Sequence, residues 1–178
     1  VGTYTAKTFS KQRYEIWNVQ SNWHNCPTIN GFEQKDGRKY AATKLNEIHQ
    51  DNKEQISMDL SKAYPAEAAI NYWNREMILN RSKKQISVTD QFELNKTVKN
   101  NELNYIAVIK PTITTGKLNF GNKATLQFDA SKFDVVINPK MMDDDRLIKA
   151  WGNQIYQIKL VAKKKLLKDN YQITIKQY

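Results

Sequence analysis

Hydrophobic and polar residues alternate along most of this chain, with the period of two that is typical of half-buried β-strands. The pattern predicts strands over residues 13–19, 40–48, 55–60, 85–94, 105–109, 124–128, 133–137, 155–161 and 171–175. Residues 1–5 also resemble the inside of a strand, and turn-forming pairs such as Asn30-Gly31 and Asp36-Gly37 separate the runs. Many short strands at close spacing predict an all-β fold, a large antiparallel β-sandwich formed by residues 1–178 as one domain.

One segment departs from this rhythm. Residues 63–79 are rich in Ala, Glu, Met and Leu, which favour helices, and Pro65 is acceptable in the first turn of a helix. Local propensity alone favours a long helix here. We interpret the segment as a short helical turn over residues 64–68, followed by a strand over residues 72–79.

Composition narrows the class of protein. The 178 residues are 40% hydrophobic and 26% charged, which is ordinary for a folded domain and argues against disorder. No apolar run approaches the length of a membrane span. The single cysteine, Cys26, excludes an internal disulfide.

The formal net charge of +10 favours a polyanionic partner. Nucleic acid, an anionic membrane surface and an acidic polysaccharide all meet that condition, as does a surface that is merely rich in lysine. Apart from residues 163–165, the lysines are spread along the chain. Dispersed charge is weaker support for a nucleic-acid groove than a clustered stripe would be.

The clearest candidate for chemistry is His24, one of two histidines in the chain. Histidine has the unperturbed pKa nearest to neutral pH, so it is the side chain best suited to move a proton or switch its charge there. Aromatic and amide residues flank it, and the turn pair Asn30-Gly31 follows. A histidine at the end of a strand, satisfied by its neighbours, is the alternative interpretation.

Residues 8–42, TFSKQRYEIWNVQSNWHNCPTINGFEQKDGRKYAA, resemble the heparinase II/III family of polysaccharide lyases, and more narrowly the C-terminal β-sandwich of those enzymes. Residues 58–65 and 86–92 are similar to the family as well. The resemblance is specific from residue 2 to about residue 95, and beyond that only the rhythm of strands agrees.

The resemblance implies an enzyme larger than one sandwich. In these lyases an α/α toroid precedes the sandwich, and the acidic polysaccharide lies in the cleft between them. Nothing in this chain supplies a toroid, so we expect the sandwich domain alone, inactive by itself, with the N-terminal toroid of the same protein as its partner. The family also implies a periplasmic or secreted protein.

The family's reaction is β-elimination next to a uronic acid, and its sandwich contributes a histidine that His24 matches. The resemblance therefore implies that His24 either holds the uronate carboxylate or acts as the base. Asn25 and Asn22 flank it, and an amide can donate to a carboxylate and accept from a sugar hydroxyl. Asn22 fits a turn residue better, whereas for Asn25 the two interpretations are equal.

Other candidates for substrate binding surround this motif. Arg13 can hold a carboxylate with its planar guanidinium, or pair with Glu15 or Asp36 on an exposed face. Of the two tryptophans, we expect Trp17 in the core and Trp23 near the cleft.

Gly31 and Gln34 match the family's motif after the histidine. We expect them to shape the hairpin that supports His24, and Gln34 is a further candidate for contact with sugar.

A metal is the remaining question for this motif. Some relatives hold zinc in the sandwich, with a histidine two residues after the catalytic one, where this chain has Cys26. His24 and Cys26 share a strand face if that segment is extended, but a closed zinc site needs four ligands, and His49 is the only other histidine. We therefore expect no native metal and no cofactor.

Two other functions stay open. A carbohydrate-binding or scaffolding sandwich without catalysis is the main alternative to the lyase domain. A basic nucleic-acid-binding β-domain fits the charge but not the motif.

Overall fold

Two antiparallel sheets make up most of the computed structural model, which describes residues 6–178. The strands are β1 (Pro27–Thr28), β2 (Thr43–Gln50), β3 (Lys53–Asp59), β4 (Ile70–Asn80), β5 (Gln85–Leu94), β6 (Glu102–Ala107), β7 (Thr112–Thr114), β8 (Lys117–Phe120), β9 (Ala124–Gln127), β10 (Phe133–Met141), β11 (Gln154–Ala162) and β12 (Lys168–Gln177). The strand-like run at residues 1–5 lies outside the described residues.

The larger sheet has eight strands in the order β2-β3-β4-β5-β12-β9-β8-β7, and the smaller has four in the order β1-β6-β11-β10. Long antiparallel pairs dominate: β4 pairs with β5, and β10 with β11, over nearly their full lengths. The all-β sandwich predicted from the sequence is confirmed. So is the helical turn, which consists of two 3₁₀ turns, Ser61–Ala63 and Ala66–Ala68, before β4.

An aromatic cluster fills the core between the sheets. Trp73 and Phe92 of the large sheet are stacked, with ring centroids 4.6 Å apart. Tyr171 lies 4.9 Å from Phe92, and Phe133 of the small sheet lies 4.8 Å from Tyr171. All four side chains are buried. Because they belong to both sheets, they join the two layers through the most strongly buried apolar surface of the molecule.

A second, smaller cluster covers the opposite face of the small sheet. Ile155 of β11 belongs to it, whereas Ile158 of the same strand belongs to the main core, as the alternation of faces along a strand requires. The cover comes from 3₁₀ turns over residues 17–23 and from helix α1, Asp145–Trp151. The side chain of Gln157 donates to the backbone carbonyl of Asn22 at 2.8 Å, which fastens the turns to the sheet.

The strand predicted over residues 13–19 is wrong. The structure has 3₁₀ turns there, Lys11–Glu15 and Trp17–Val19, followed by Ser21–Trp23. Gln20 is extended between the last two of these turns, and Trp17 and Trp23 pack against each other in the small cluster on the outer face of the small sheet. That packing outweighs the local alternation.

The structure describes no helix with both the length and the apolar character needed to cross a membrane.

Candidate functional site

Buried side chains hold the backbone that carries His24. The carbonyls of residues 25, 26 and 27 accept hydrogen bonds from Arg75 Nη1 at 2.9 Å, Asn104 Nδ2 at 2.8 Å and Tyr64 Oη at 2.5 Å, respectively. We call this arrangement the carbonyl clamp. Its three donors come from β4, from β6 and from the segment before β4, so both sheets fix the segment. Burial raises the pKa of Tyr64, which keeps its hydroxyl a donor.

Arg75 is the most heavily constrained donor of the carbonyl clamp. Its Nε and Nη2 donate to the two carboxylate oxygens of Asp90 at 2.7 and 2.6 Å, and both side chains are almost fully buried. Burial lowers the pKa of Arg75, but the Asp90 carboxylate outweighs that and raises the pKa overall. Arg75 therefore stays charged and points its remaining donor at the carbonyl of Asn25.

A tight turn fixes the other end of the segment. Asn30 and Gly31 both have positive φ, at 53° and 82°, as a two-residue hairpin turn of this type requires. The buried Asn30 side chain donates to the carbonyls of Ala68 and Lys96, both at 2.8 Å, and accepts from the amide of Val98 at 2.9 Å. The turn predicted at Asn30-Gly31 is confirmed, and the side chain of Asn30 ties it to two other segments, at residue 68 and at residues 96–98.

His24 itself is exposed. Its Nε2 lies 3.1 Å from the backbone carbonyl of Asn18. A carbonyl oxygen only accepts, so this bond requires the hydrogen to be on Nε2. In the neutral ring Nδ1 is then unprotonated and can accept a proton or a hydrogen bond, which is the state that a general base needs.

Two cavities adjoin His24. The aromatic cavity, about 370 Å³, is lined by Trp17, Asn18, Trp23, His24, Asn25, Ile106, Ala107, Val108, Trp151 and Ile155. The polar cavity, about 500 Å³, is lined by Tyr14, Val19, Gln20, Ser21, His24, Cys26, Glu33, Gln34, Lys35 and Asp36. Because His24 lines both, a chain-like ligand that crossed the ridge between them would pass its imidazole.

The structure brings part of the predicted site together. Trp23 and Asn25 line the aromatic cavity with His24, and Gln34 lines the polar cavity. Trp17, which we expected in the core, also lines the aromatic cavity, with Trp23 packed against it at 4.8 Å between ring centroids. The roles of these residues toward a substrate stay predictions.

Asn22 and Arg13 lie outside both cavities. Asn22 is a backbone anchor: its amide donates to Glu33 Oε2 at 3.3 Å, and its carbonyl accepts from Gln157. The side-chain oxygen of Asn22 is buried and has no hydrogen-bond partner among the described residues. Arg13 is exposed in the 3₁₀ turn Lys11–Glu15, which comes before the turn that begins at Trp17.

Sequence reasoning missed Trp151 and the carbonyl clamp. Trp151 ends helix α1, which the alternation of strands conceals because it is only seven residues long. A signal was present: Asp144 accepts from the amide of Arg146 as the N-cap, and Gly152 follows the last helical residue. Arg75 and Asp90 carried no such signal, since a strand pattern does not say which charged residues face inward.

The donors for a zinc ion do not come together. His49 lies in β2, with Nδ1 2.5 Å from Glu54 Oε2, and it lines neither cavity. Burial raises the pKa of the Cys26 thiol, which disfavours the thiolate that binds zinc. Over residues 6–178, no group of three or more His, Cys, Asp or Glu side chains has a geometry that could hold a metal ion. The described residues therefore do not fit the zinc site that the resemblance implies.

No family model matches the chain, and the search of curated proteins finds no match to it.

Proposed function

We propose that this chain is the β-sandwich domain of a heparinase II/III-type lyase, which cleaves uronic-acid-containing polysaccharides and uses His24 in a cleft shared with a helical toroid. The observation that carries the proposal is an exposed His24 on a rigidly held segment between two cavities. The resemblance of residues 8–42 and the net charge of +10 support it. An enzyme of this kind acts on glycans outside the cytoplasm.

The reaction class is β-elimination. A base removes the proton on C5 of the uronate, the C5 electron pair forms the C4–C5 double bond, and the C4–O bond breaks. The departing oxygen takes up a proton from an acid, so nothing is oxidised or reduced overall. Negative charge builds on the C6 carboxylate in the transition state, and fixed donors or cations that face it lower the barrier.

His24 can meet either of two needs in this reaction. With Nε2–H bonded to the Asn18 carbonyl, Nδ1 of the neutral ring can take the C5 proton. In the protonated ring, Nδ1–H instead donates to the carboxylate and carries a compensating charge. Asn25, which lines the same cavity, can donate its amide to that carboxylate in either case.

A second candidate is a carbohydrate-binding sandwich without catalysis. The aromatic cavity favours it, because indole rings pack well against the apolar face of a sugar whether or not a reaction follows. The two functions differ in turnover, not in binding.

A binding panel tests whether the chain binds acidic glycans, which both the lyase domain and the carbohydrate-binding sandwich require. Acidic tetrasaccharides of heparan type and of alginate are compared with cellotetraose and with single-stranded DNA of similar charge. We expect the acidic sugars to bind best and to weaken steeply as salt rises, because exposed charges are screened beyond about 10 Å at 0.1 M salt. Equal binding of cellotetraose, or stronger binding of DNA, would argue against an acidic-glycan site.

A further inference from the structure

We propose that the aromatic cavity is a subsite for one sugar ring of an acidic glycan, with Trp151 of helix α1 as a stacking platform and Lys140 as the positive group at its edge. This inference rests on the proposed function, since it assigns the position next to His24 to a particular sugar. Neither Trp151 nor Lys140 belongs to the motif that resembles the lyase family.

The three indoles form walls, not a stack. Trp17 meets Trp23 at an interplanar angle of 73° and Trp151 at 67°, with ring centroids 4.8 and 6.3 Å apart. All three side chains are partly buried, so apolar ring surface stays accessible from the cavity. Trp73, by contrast, is fully buried in the main core.

The cavity has the asymmetry that a pyranose needs. Ile106, Val108 and Ile155 complete the apolar wall, while the polar groups Asn18, His24 and Asn25 also line it. A sugar ring has an apolar C–H face and a rim of hydroxyls, and a binding site for it combines apolar surface with a few convergent polar groups. The volume of about 370 Å³ is at the small end of the range for ligand pockets, which fits a single ring.

Charge favours an acidic sugar in this cavity. Lys140 Nζ lies 5.4 Å from the ring centroid of Trp17, and its ammonium has no ion-pair partner in the described part of the chain. Across the residues that the structure describes, no carboxylate lines the aromatic cavity, whereas Glu33 and Asp36 line the polar cavity. The aromatic cavity, with no carboxylate in its lining and with Lys140 over one of its rings, therefore suits a uronate or sulfated ring better than the polar cavity, where Lys35 offsets only one of the two carboxylates.

The experiment follows tryptophan signals and affinity together, with the alginate and heparan-type tetrasaccharides as probes. In the wild-type chain, we expect the indole N–H resonances of Trp17, Trp23 and Trp151 to shift on titration, while that of Trp73 stays in place. We expect Trp151→Leu to weaken binding by roughly tenfold, with Trp151→Phe much closer to wild type because an aromatic face remains.

Two lysine variants test the charge. Lys140→Ala is expected to weaken binding of the acidic probe and to reduce its salt dependence. Lys149→Ala, a change of the same kind at an exposed lysine on α1, should leave both unchanged. Urea unfolding of each variant establishes that the fold is intact, and the wild-type indole shifts decide the question if Trp151→Leu does not fold.

The outcomes separate the subsite from the proposed function. If the wild-type chain binds neither probe, both are overturned. If it binds but the three indole signals do not move, or Trp151→Leu binds like wild type, only the subsite is overturned. If Lys140→Ala and Lys149→Ala behave alike, Lys140 has no part in it.

Discussion

Arg75 connects the buried core of the sandwich to the segment that carries His24. Two of its nitrogens bind the Asp90 carboxylate and a third binds the Asn25 carbonyl, one residue after His24. A buried ion pair often adds little net stability over an apolar pair of similar size. At the residue scale, we therefore attribute to this pair the positioning of a backbone carbonyl, for which an apolar pair has no donor.

Arg75→Met is expected to destabilise the protein by about 3–5 kcal/mol, because it leaves Asp90 buried and unpaired. Arg75→Met combined with Asp90→Leu removes both charges and should recover most of that loss in urea unfolding. The double variant still lacks a donor for the Asn25 carbonyl, so we expect weaker binding of an acidic tetrasaccharide. A double variant that is as stable as wild type and binds equally well would show that Arg75 does not position His24.

At the scale of elements, helix α1 begins after a side-chain N-cap and ends at a residue that lines the aromatic cavity. Asp144 begins the helix by accepting from the Arg146 amide at 2.9 Å, and Trp151 ends it. A helix of seven residues has little stability of its own, so its cap and its packing against β11 must hold it. Leu147 supplies that packing as a buried residue beside Ile155.

Asp144→Ala is expected to cost about 1 kcal/mol, as loss of a side-chain cap usually does. We expect local exchange of the α1 amides to increase more than global unfolding does, because the helix lies outside the main core. Asp143→Ala, next to it and exposed, is the matched control. Equal amide exchange in the two variants would mean that the cap does not hold the helix.

The sequence predicts the long elements well and the short ones poorly. Residues 88–94 alternate between buried and at least partly exposed positions, and the structure has a strand over residues 85–94. The strands β1, β7 and β8, of two to four residues, have no prediction, whereas β9, also of four residues, lies within the strand predicted over residues 124–128. The 3₁₀ turns over residues 17–23 escape for a different reason: Trp17 and Trp23 pack in the small cluster on the small sheet, which no local pattern reveals.

For the site, the sequence indicates the motif around His24 but not the side chains that hold its backbone in place. The turn at Asn30-Gly31 follows from residue type, since both positions need positive φ. The carbonyl clamp depends on Arg75, Asn104 and Tyr64, which lie 37 to 78 residues away in sequence from the carbonyls they hold. Contacts of that range are fixed only when the two sheets close on one another.

At the scale of the whole molecule, the central claim is that His24 takes part in an elimination reaction. The most direct measurement is release of unsaturated uronate, followed by ultraviolet absorbance, in the toroid-bearing lyase to which we propose this sandwich belongs. His24→Ala is compared with wild type and with His49→Ala. His49 is an exposed histidine on the edge strand β2, and its side chain pairs with Glu54 of β3. The isolated sandwich is assayed alongside.

We predict that the His24→Ala protein loses most of its turnover, at least ~100-fold, because it lacks the group that we propose faces the reacting uronate. His49→Ala should keep wild-type turnover, and the isolated sandwich should have none, since one wall of a cleft cannot hold all the reacting groups in register. A folded His24→Ala protein with full activity, or turnover by the isolated sandwich, would contradict this account.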